Sequence, residues 1–477
     1  MKYIADLHIH SHYSIATSKE LTPEHLDYWA KAKGINVIGT GDFTHPRWSK
    51  ELKEKLIPAE NGLFKLKDDL ILRGSLINSD IVFSKTLFIL SAEISCIYKK
   101  KGKTRKIHNV VLADSFETVE KIQNKLTDYK FNISSDGRPI LGLDARDLFE
   151  LLLNCSENIF LIPAHIWTPW FSVLGAKSGF DSIEECYEDL SERIYTLETG
   201  LSSDPPMNWL CSSLDKYTLV SNSDAHSPEK LGRNANIFNT DFNYLSLINA
   251  LKTGDTSQCL GTIDMYPQEG KYHFAGHSNC GICLSPEDSV KFNGICPVCN
   301  KEVTIGVMNR VNELADRNKP EERQNKLPFY HIIPLKEILS EILGKPATSK
   351  HITNYYEKLL NKFGQELHLL LDLSFDEIKD GGEPQLAEAI KRMRAGEIYI
   401  KEGYDGEYGI IKVFGERDFE DTIKNIKKKP LNISQNSNNT QSKQYNPKNT
   451  RQQLNKPEIK KKQRKQIYKD DNQLNLF

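Results

Sequence analysis

Six short apolar runs, separated by amphipathic stretches, each carry His, Asp or Glu at one end, and this alternation constrains the fold more than any other feature. The first run is followed by Asp6-Leu7-His8-Ile9-His10-Ser11. Ile35–Thr40 leads to Asp42 and His45, and Leu87–Ser91 leads to Glu93. His108 precedes Asn109–Leu112, Ile159–Pro163 leads to His165, and Thr218–Ser221 leads to Asn222-Ser223-Asp224-Ala225-His226. A further run, Ile194–Glu198, lies between the last two. Helical spacing marks Pro23–Lys33, Phe116–Leu126, Ala145–Asn154 and Phe242–Leu251. Strand and helix alternating in this way predict a parallel sheet or an α/β barrel. Such folds gather their chemistry at the C-terminal ends of the strands.

The spacing within these strand ends points to metal. His8 and His10, like Asp224 and His226, are two residues apart, and side chains so spaced on a strand face the same side. With Asp42, His45, Glu93, His108 and His165 they would converge on one rim and hold two or three divalent ions. Mixed His and carboxylate ligands suit Zn, Mn or Fe(II) better than a Mg-only oxygen cage. A polynuclear site of this kind suits phosphate-ester hydrolysis, in which the ions activate a hydroxide and neutralise the phosphoryl oxygens.

Asp6-Leu7-His8-Ile9-His10-Ser11, Glu93, His108, His165 and Asp224-Ala225-His226 resemble the PHP (polymerase and histidinol phosphatase) superfamily. That resemblance implies a distorted (β/α)7 barrel with up to three metals (Zn, Mn, Fe or Mg). It implies that His8, His10, Glu93 and Asp224 hold one ion and that His108, His165 and His226 hold another, with Glu93 bridging towards a third. Asp224, His226 and Glu93 would carry the catalysis. The chain departs from the usual pattern at Asp42-Phe43, where the family has Asp-His, so Asp42 or His45 would substitute, and His12 is a further candidate. Gly39–Pro46, Ala164-His165-Ile166-Trp167-Thr168-Pro169-Trp170-Phe171, Glu198–Pro205 and Ser221–Pro228 are similar to endonuclease Q within that superfamily. The likeness covers about residues 1–420. It implies a DNA repair endonuclease that nicks double-stranded DNA 5′ to a deaminated base (hypoxanthine, uracil, xanthine) or an abasic site. Judging a base usually requires extruding it onto apolar side chains. Trp167, Trp170 and Phe171, with Ser202, Ser203 and Asn222, are the expected base pocket.

The nine cysteines divide into five scattered singles and the quartet Cys280, Cys283, Cys296 and Cys299. Two Cys-x2-Cys pairs 12 residues apart are expected to close one tetrahedral structural zinc site. His273 and His277 read as surface residues. The chain is thus expected to comprise a catalytic barrel at 1–265, a zinc module at 266–305, a mostly helical part at 306–423 and a disordered basic tail at 424–477. Leu335, Ile338, Leu339, Ile342 and Leu343 form a core stripe in the helical part, and Arg392 and Arg394 are exposed candidates for DNA contact. Gly403–Gly409 lacks the Lys-Ser/Thr of a phosphate loop and reads as a tight turn.

Net charge over all 477 residues is −1, but the tail from Lys424 carries 14 Lys/Arg against 3 acids. Such a tail would add salt-dependent affinity for DNA. Its last residues, Gln473-Leu474-Asn475-Leu476-Phe477, resemble the bacterial sliding-clamp peptide, with Gln473, Leu474, Leu476 and Phe477 as anchors. The stretch Met1-Lys2-Tyr3-Ile4-Ala5-Asp6 has no apolar h-region and is not expected to be a signal peptide, and no run reaches the roughly 18 apolar residues of a membrane span. A cytoplasmic, nucleoid-associated bacterial protein is expected. The competing readings are a small-molecule phosphatase on the same barrel and a non-catalytic DNA-binding module.

Overall fold

The structure of the protein, a computed structural model, describes residues 1–74, 85–324 and 326–415. The tail and its clamp motif at 473–477 lie outside the described residues. Residues 1–415 form one compact unit. No helix among the described residues is long and apolar enough to cross a membrane.

The centre is an 11-stranded mixed sheet. Lys2–Asp6 pairs in parallel with Val37–Gly39, which pairs in parallel with Leu87–Lys100. The expectation of a parallel sheet fails beyond this point. Leu87–Lys100 and Lys103–Ala113 form a long antiparallel hairpin, and Lys103–Ala113 pairs antiparallel with Phe160–Pro163. The reason is local: only Lys101 and Gly102 join the two long strands, both with positive φ. A two-residue turn of this type can connect only antiparallel neighbours. On the other flank Lys2–Asp6 pairs antiparallel with Ala235–Asn239.

Thr196–Glu198 and Thr218–Val220 form a separate parallel pair. Its C-terminal end meets the continuation of the first strand through the Ile9–Ala225 bridge, with Asp224 N donating to His8 O and His10 N donating to Ala225 O. The curled sheet encloses Ala5, Leu7, Val37, Ile89, Val110, Ile162 and Val220, and Tyr244–Thr253 packs Leu247, Ile248 and Leu251 into the same core. Buried Tyr244 satisfies its hydroxyl by donating to Asn158 O at 2.6 Å, with Leu112 O 3.1 Å away, as a buried phenol requires.

The helical part runs from Leu335–Leu343 through Lys350–Phe363 to Pro384–Ala395. It buries Leu335, Ile338 and Leu339 of the expected stripe. Buried Glu366 ties it to the Pro23–Lys33 helix: it lies 2.6 Å from Lys33 Nζ and accepts from Tyr356 Oη and Leu335 N. Arg392 and Arg394 are not the free arms expected. Arg392 pairs with Glu388 and lies over Phe414, and Arg394 donates to the carbonyls of Leu370 and Leu369. Gly403–Gly409 is a turn between the Tyr399–Lys401 and Ile410–Lys412 strands, and its Asp405 accepts from Ser278 and Thr304 of the Cys module.

Candidate active site

Seven His and acid side chains come together, five from beyond strand ends and two, Glu93 and His108, from within the long hairpin strands rather than at their ends as expected. Three overlapping groups form, His8/His10/Glu93, His10/Asp224/His226 and Glu93/His108/His165, and in each the donor atoms lie within 4.8 Å of one another. Glu93 is the hinge of the set. Its Oε1 is 2.5 Å from His108 Nδ1, 3.0 Å from His165 Nε2 and 3.7 Å from His8 Nε2. His10 Nε2 is 2.9 Å from Asp224 Oδ1. The backbone is strained here: Asp42, His165 and Asp224 have φ of 51°, 29° and 47°, values that side chains with a Cβ rarely adopt. Gly200 makes room, because a Cβ there would stand 2.4 Å from that of His165.

The electrostatics favour charged carboxylates. Burial opposes ionisation of Glu93, but His108, Arg138 and His8 hold it well below the usual range. Asp224 is half-buried, which opposes its ionisation, yet His226, His10 and His8 hold its carboxyl well below the usual range. Burial pushes the His108 ring below its ordinary value, against the pull of Glu93 beside it. His8 Nε2 is buried with no hydrogen-bond partner, which is unusual for a buried polar atom. An unpartnered imidazole nitrogen facing carboxylates is what a divalent metal would fill.

Behind these donors stands a supporting layer. Glu198, fully buried at its strand end, places both oxygens 3.0 Å from His8 Nδ1 and accepts from His165 N and Asn222 Nδ2 at 2.8 Å. A carboxylate on one imidazole nitrogen sets the tautomer and leaves the other free to ligate. Asp6 accepts from Ser223 N and Gly232 N and so braces the loop that carries Asp224. The sequence reading gave neither residue a role. Glu198 had the same signal as the ligands, an acid ending an apolar run, whereas Asp6 was hidden by its neighbours His8 and His10.

The structure corrects several expectations. Asp42 joins none of the donor groups: it lies 3.1 Å from His10 Nδ1 and accepts from Ser11 N, Ser11 Oγ and Ser14 Oγ, so it orients His10. His45 caps the Pro46–Lys55 helix and places Nε2 3.1 Å from Ser134 O. His12 sits beside Leu21 O and Glu51. Of the expected base pocket, Trp167 is fully buried with its indole donating to Asn208, Ser203 donates to Thr199 O, and Asn222 serves Glu198 and Leu7 N. These three are scaffold. Ser202 Oγ is buried without a partner. Trp170 is half-buried with its ring edge-on to Tyr272, and Phe171 lies against His108.

The Cys quartet is also rearranged. The donors within 4.8 Å of one another are His277, Cys280, Cys296 and Cys299, while Cys283 is exposed. Ala275–His277 and Ile282–Leu284 form a hairpin in which His277 faces Ile282 and Gly276 faces Cys283. Cross-strand partners share a face and successive residues alternate. The register therefore turns Cys283 outward and His277 towards the thiols, and His273, expected at the surface, is buried.

Comparison with known proteins agrees with this architecture. Residues 334–397 match the MJ0043 C-terminal domain family. The uncharacterised protein MJ0043 of Methanocaldococcus jannaschii is 35% identical over 253 residues, which are 51% of this chain and 31% of that protein; this chain thus spans about a third of that relative's length. The uncharacterised protein YqxK of Bacillus subtilis is 29% identical over 86% of this chain and 99% of its own. The crystal structure of the lesion-specific endonuclease PfuEndoQ from Pyrococcus furiosus superposes with a TM-score of 0.75 at 32% identity, covering 87% of this chain and 96% of that one. An endonuclease Q complex with a 27-mer duplex bearing an abasic lesion at the active site superposes with a TM-score of 0.74, also at 32% identity, over 88% of this chain and 98% of that one. With a third of its residues shared over nearly the whole of a solved member, the chain belongs to the endonuclease Q family.

Proposed function

We propose that this protein is a metal-dependent DNA repair endonuclease that cleaves the phosphodiester 5′ to a deaminated base or an abasic site. The observation that carries the reading is the convergence of seven His and carboxylate donors, one with a sealed, unpartnered nitrogen. The family's DNA-bound member supports DNA as the substrate. On this reading the curled sheet and the parallel pair that meets it at the Ile9–Ala225 bridge would make a distorted (β/α)7 PHP barrel. His8, His10, Glu93, His108, His165, Asp224 and His226 would hold two or three divalent ions. When bound, such ions supply charge stabilisation at the phosphoryl group and activation of water. The chain itself does the positioning: Glu198 and Asp42 aim His8 and His10, and Glu93 links the two ends of the donor set. Cleavage leaves a 3′-hydroxyl and a 5′-phosphate.

The test is a panel of duplexes containing inosine, uracil, an abasic site or no lesion, incubated with Mn or Mg, beside a chromogenic phosphate monoester. Nicking confined to the lesion duplexes is expected. Turnover of the monoester alone would assign the chain as a small-molecule phosphatase instead. Glu198→Ala should weaken metal binding by about 10–100-fold, read by calorimetric titration with Mn. Undiminished affinity would remove Glu198 from the metal's support.

Trp170 and Phe171 are the remaining aromatic candidates for stacking an extruded base, and Ser202 is the remaining hydrogen-bonding one. Trp170→Ala should lower affinity for the lesion duplex more than it lowers hydrolysis of a simple phosphodiester, and equal losses would end the pocket role. His277, Cys280, Cys296 and Cys299 would hold one structural zinc and brace a module that clamps the duplex. Residues 473–477 would dock a sliding clamp as a short peptide in an apolar groove. Deleting them should abolish clamp binding in a pull-down and leave nicking of free oligonucleotides intact.

A further inference from the structure

Arg138 is ion-paired with a carboxylate of the site, and the chain goes to some length to hold it there. Arg138 Nη1 lies 3.2 Å from Glu93 Oε2, and no other acceptor side chain meets the guanidinium among the described residues. A guanidinium offers five N–H donors in a rigid fork, so most of this fork is uncommitted. The side chain is 17% exposed, and neither Nε nor Nη2 is a buried atom left without a partner. Glu93 already has His108 at 2.5 Å and His165 at 3.0 Å. Its hydrogen-bonding capacity is thus largely met without a fork.

The loop around Arg138 is pinned on both sides. Gly137 N donates to Tyr13 O and Thr44 Oγ1 donates to Gly137 O. His45 Nε2 lies against Ser134 O, and Ser95 N donates to Pro139 O. Residue 137 admits no side chain, since a Cβ would stand 2.3 Å from Asp42 Oδ2 and 2.6 Å from Ser14 Oγ. Pro139 then confines Arg138 to extended backbone. The loop is thus fastened to the segments carrying His10, Asp42 and Glu93, and it leaves one side chain projecting at the donor cluster. This also gives His45 a purpose that metal ligation did not.

We propose that Arg138 is a catalytic residue that donates to a non-bridging oxygen of the scissile phosphodiester. The inference rests on the nuclease reading above and names the group that touches its substrate. A planar fork matches phosphate oxygens two at a time, and a fixed cation beside them stabilises charge that grows in the transition state. The reaction consumes one water: its oxygen bonds to phosphorus, the P–O3′ bond breaks, and one proton ends on O3′. Arg138 keeps its protons throughout.

Arg138→Ala and Arg138→Lys separate this role from that of a counter-ion to Glu93. Two substrates are used, a duplex with one abasic site and bis(4-nitrophenyl) phosphate, together with metal content and duplex affinity. Arg138→Ala should slow single-turnover cleavage of both substrates by about 10²–10³-fold, with metal content unchanged, and free guanidinium ion should restore part of the rate. If Arg138→Ala does not fold, Arg138→Lys carries the same prediction, a slower rate at full metal content. An unchanged rate, or metal lost in step with activity, would overturn the assignment. If the wild-type protein spares the abasic duplex but hydrolyses the small diester, the lesion reading falls while Arg138 is still judged on the diester.

Discussion

Asp224→Asn is expected to lower nicking of an inosine or abasic duplex by at least about 10³-fold, equivalent to about 4 kcal/mol of transition-state stabilisation, while the duplex still binds. Asp224 Oδ1 lies 2.9 Å from His10 Nε2, 3.8 Å from His8 Nε2 and 3.6 Å from His226 Nδ1. It is thus the carboxylate shared by the first and last strand ends. Asparagine preserves its shape and removes its charge. It is also the better probe than alanine, because Asp224 has a φ of 47° and Asn tolerates that region nearly as well as Asp. The check is a pair of measurements, single-turnover nicking and equilibrium binding of the same duplex. A variant that keeps a tenth of the rate would remove Asp224 from the chemistry.

The second large effect belongs to the Cys module. Cys296→Ser should release one equivalent of zinc and unfold the module, whereas Cys283→Ser should leave zinc content and melting temperature unchanged. Metal contributes on the order of 10 kcal/mol to the folding of small Cys/His modules, and this one has little else. Its core is Ala275, Leu284, Cys296 and Val303, with Cys280, Ile282, Cys299 and Ile305 packed beside it. Cys283 is exposed on the opposite face of the hairpin, where substitutions usually change stability by less than about 0.5 kcal/mol. His277→Ala should follow Cys296→Ser. Native mass spectrometry counts the zinc in each variant, and loss of metal from Cys283→Ser would restore the all-cysteine site.

Much of the donor set was legible because its signals are local. His8 with His10, and Asp224 with His226, follow the two-residue period of a strand. Glu93 and His165 each stand directly beyond an apolar run. The helical stripe at Leu335, Ile338 and Leu339 and the turn at Gly403–Gly409 were legible for the same reason, since periodicity and turn residues act over a few positions. The antiparallel hairpin was available in principle, because Lys101-Gly102 is a two-residue turn between apolar strands.

Residue type and short-range spacing, then, determined that this chain would carry a cluster of imidazoles and carboxylates on its apolar runs and a cysteine-rich module beside it. Only the tertiary structure decided which members of each set touch. His10 meets Asp224 across 214 positions, and His8 meets Glu198 across 190. No local rule relates residues so far apart, so whether an acid joins the donor groups, like Glu93, or braces a member of them, like Asp42 and Glu198, depends on packing of the whole sheet. The same holds for Trp167, buried rather than open, and for Cys283, turned outward by a hairpin register. Arg138 shows it most fully: a charged residue in a loop has no periodic signal, and its meaning comes from the hydrogen bonds that fasten the loop over the cluster.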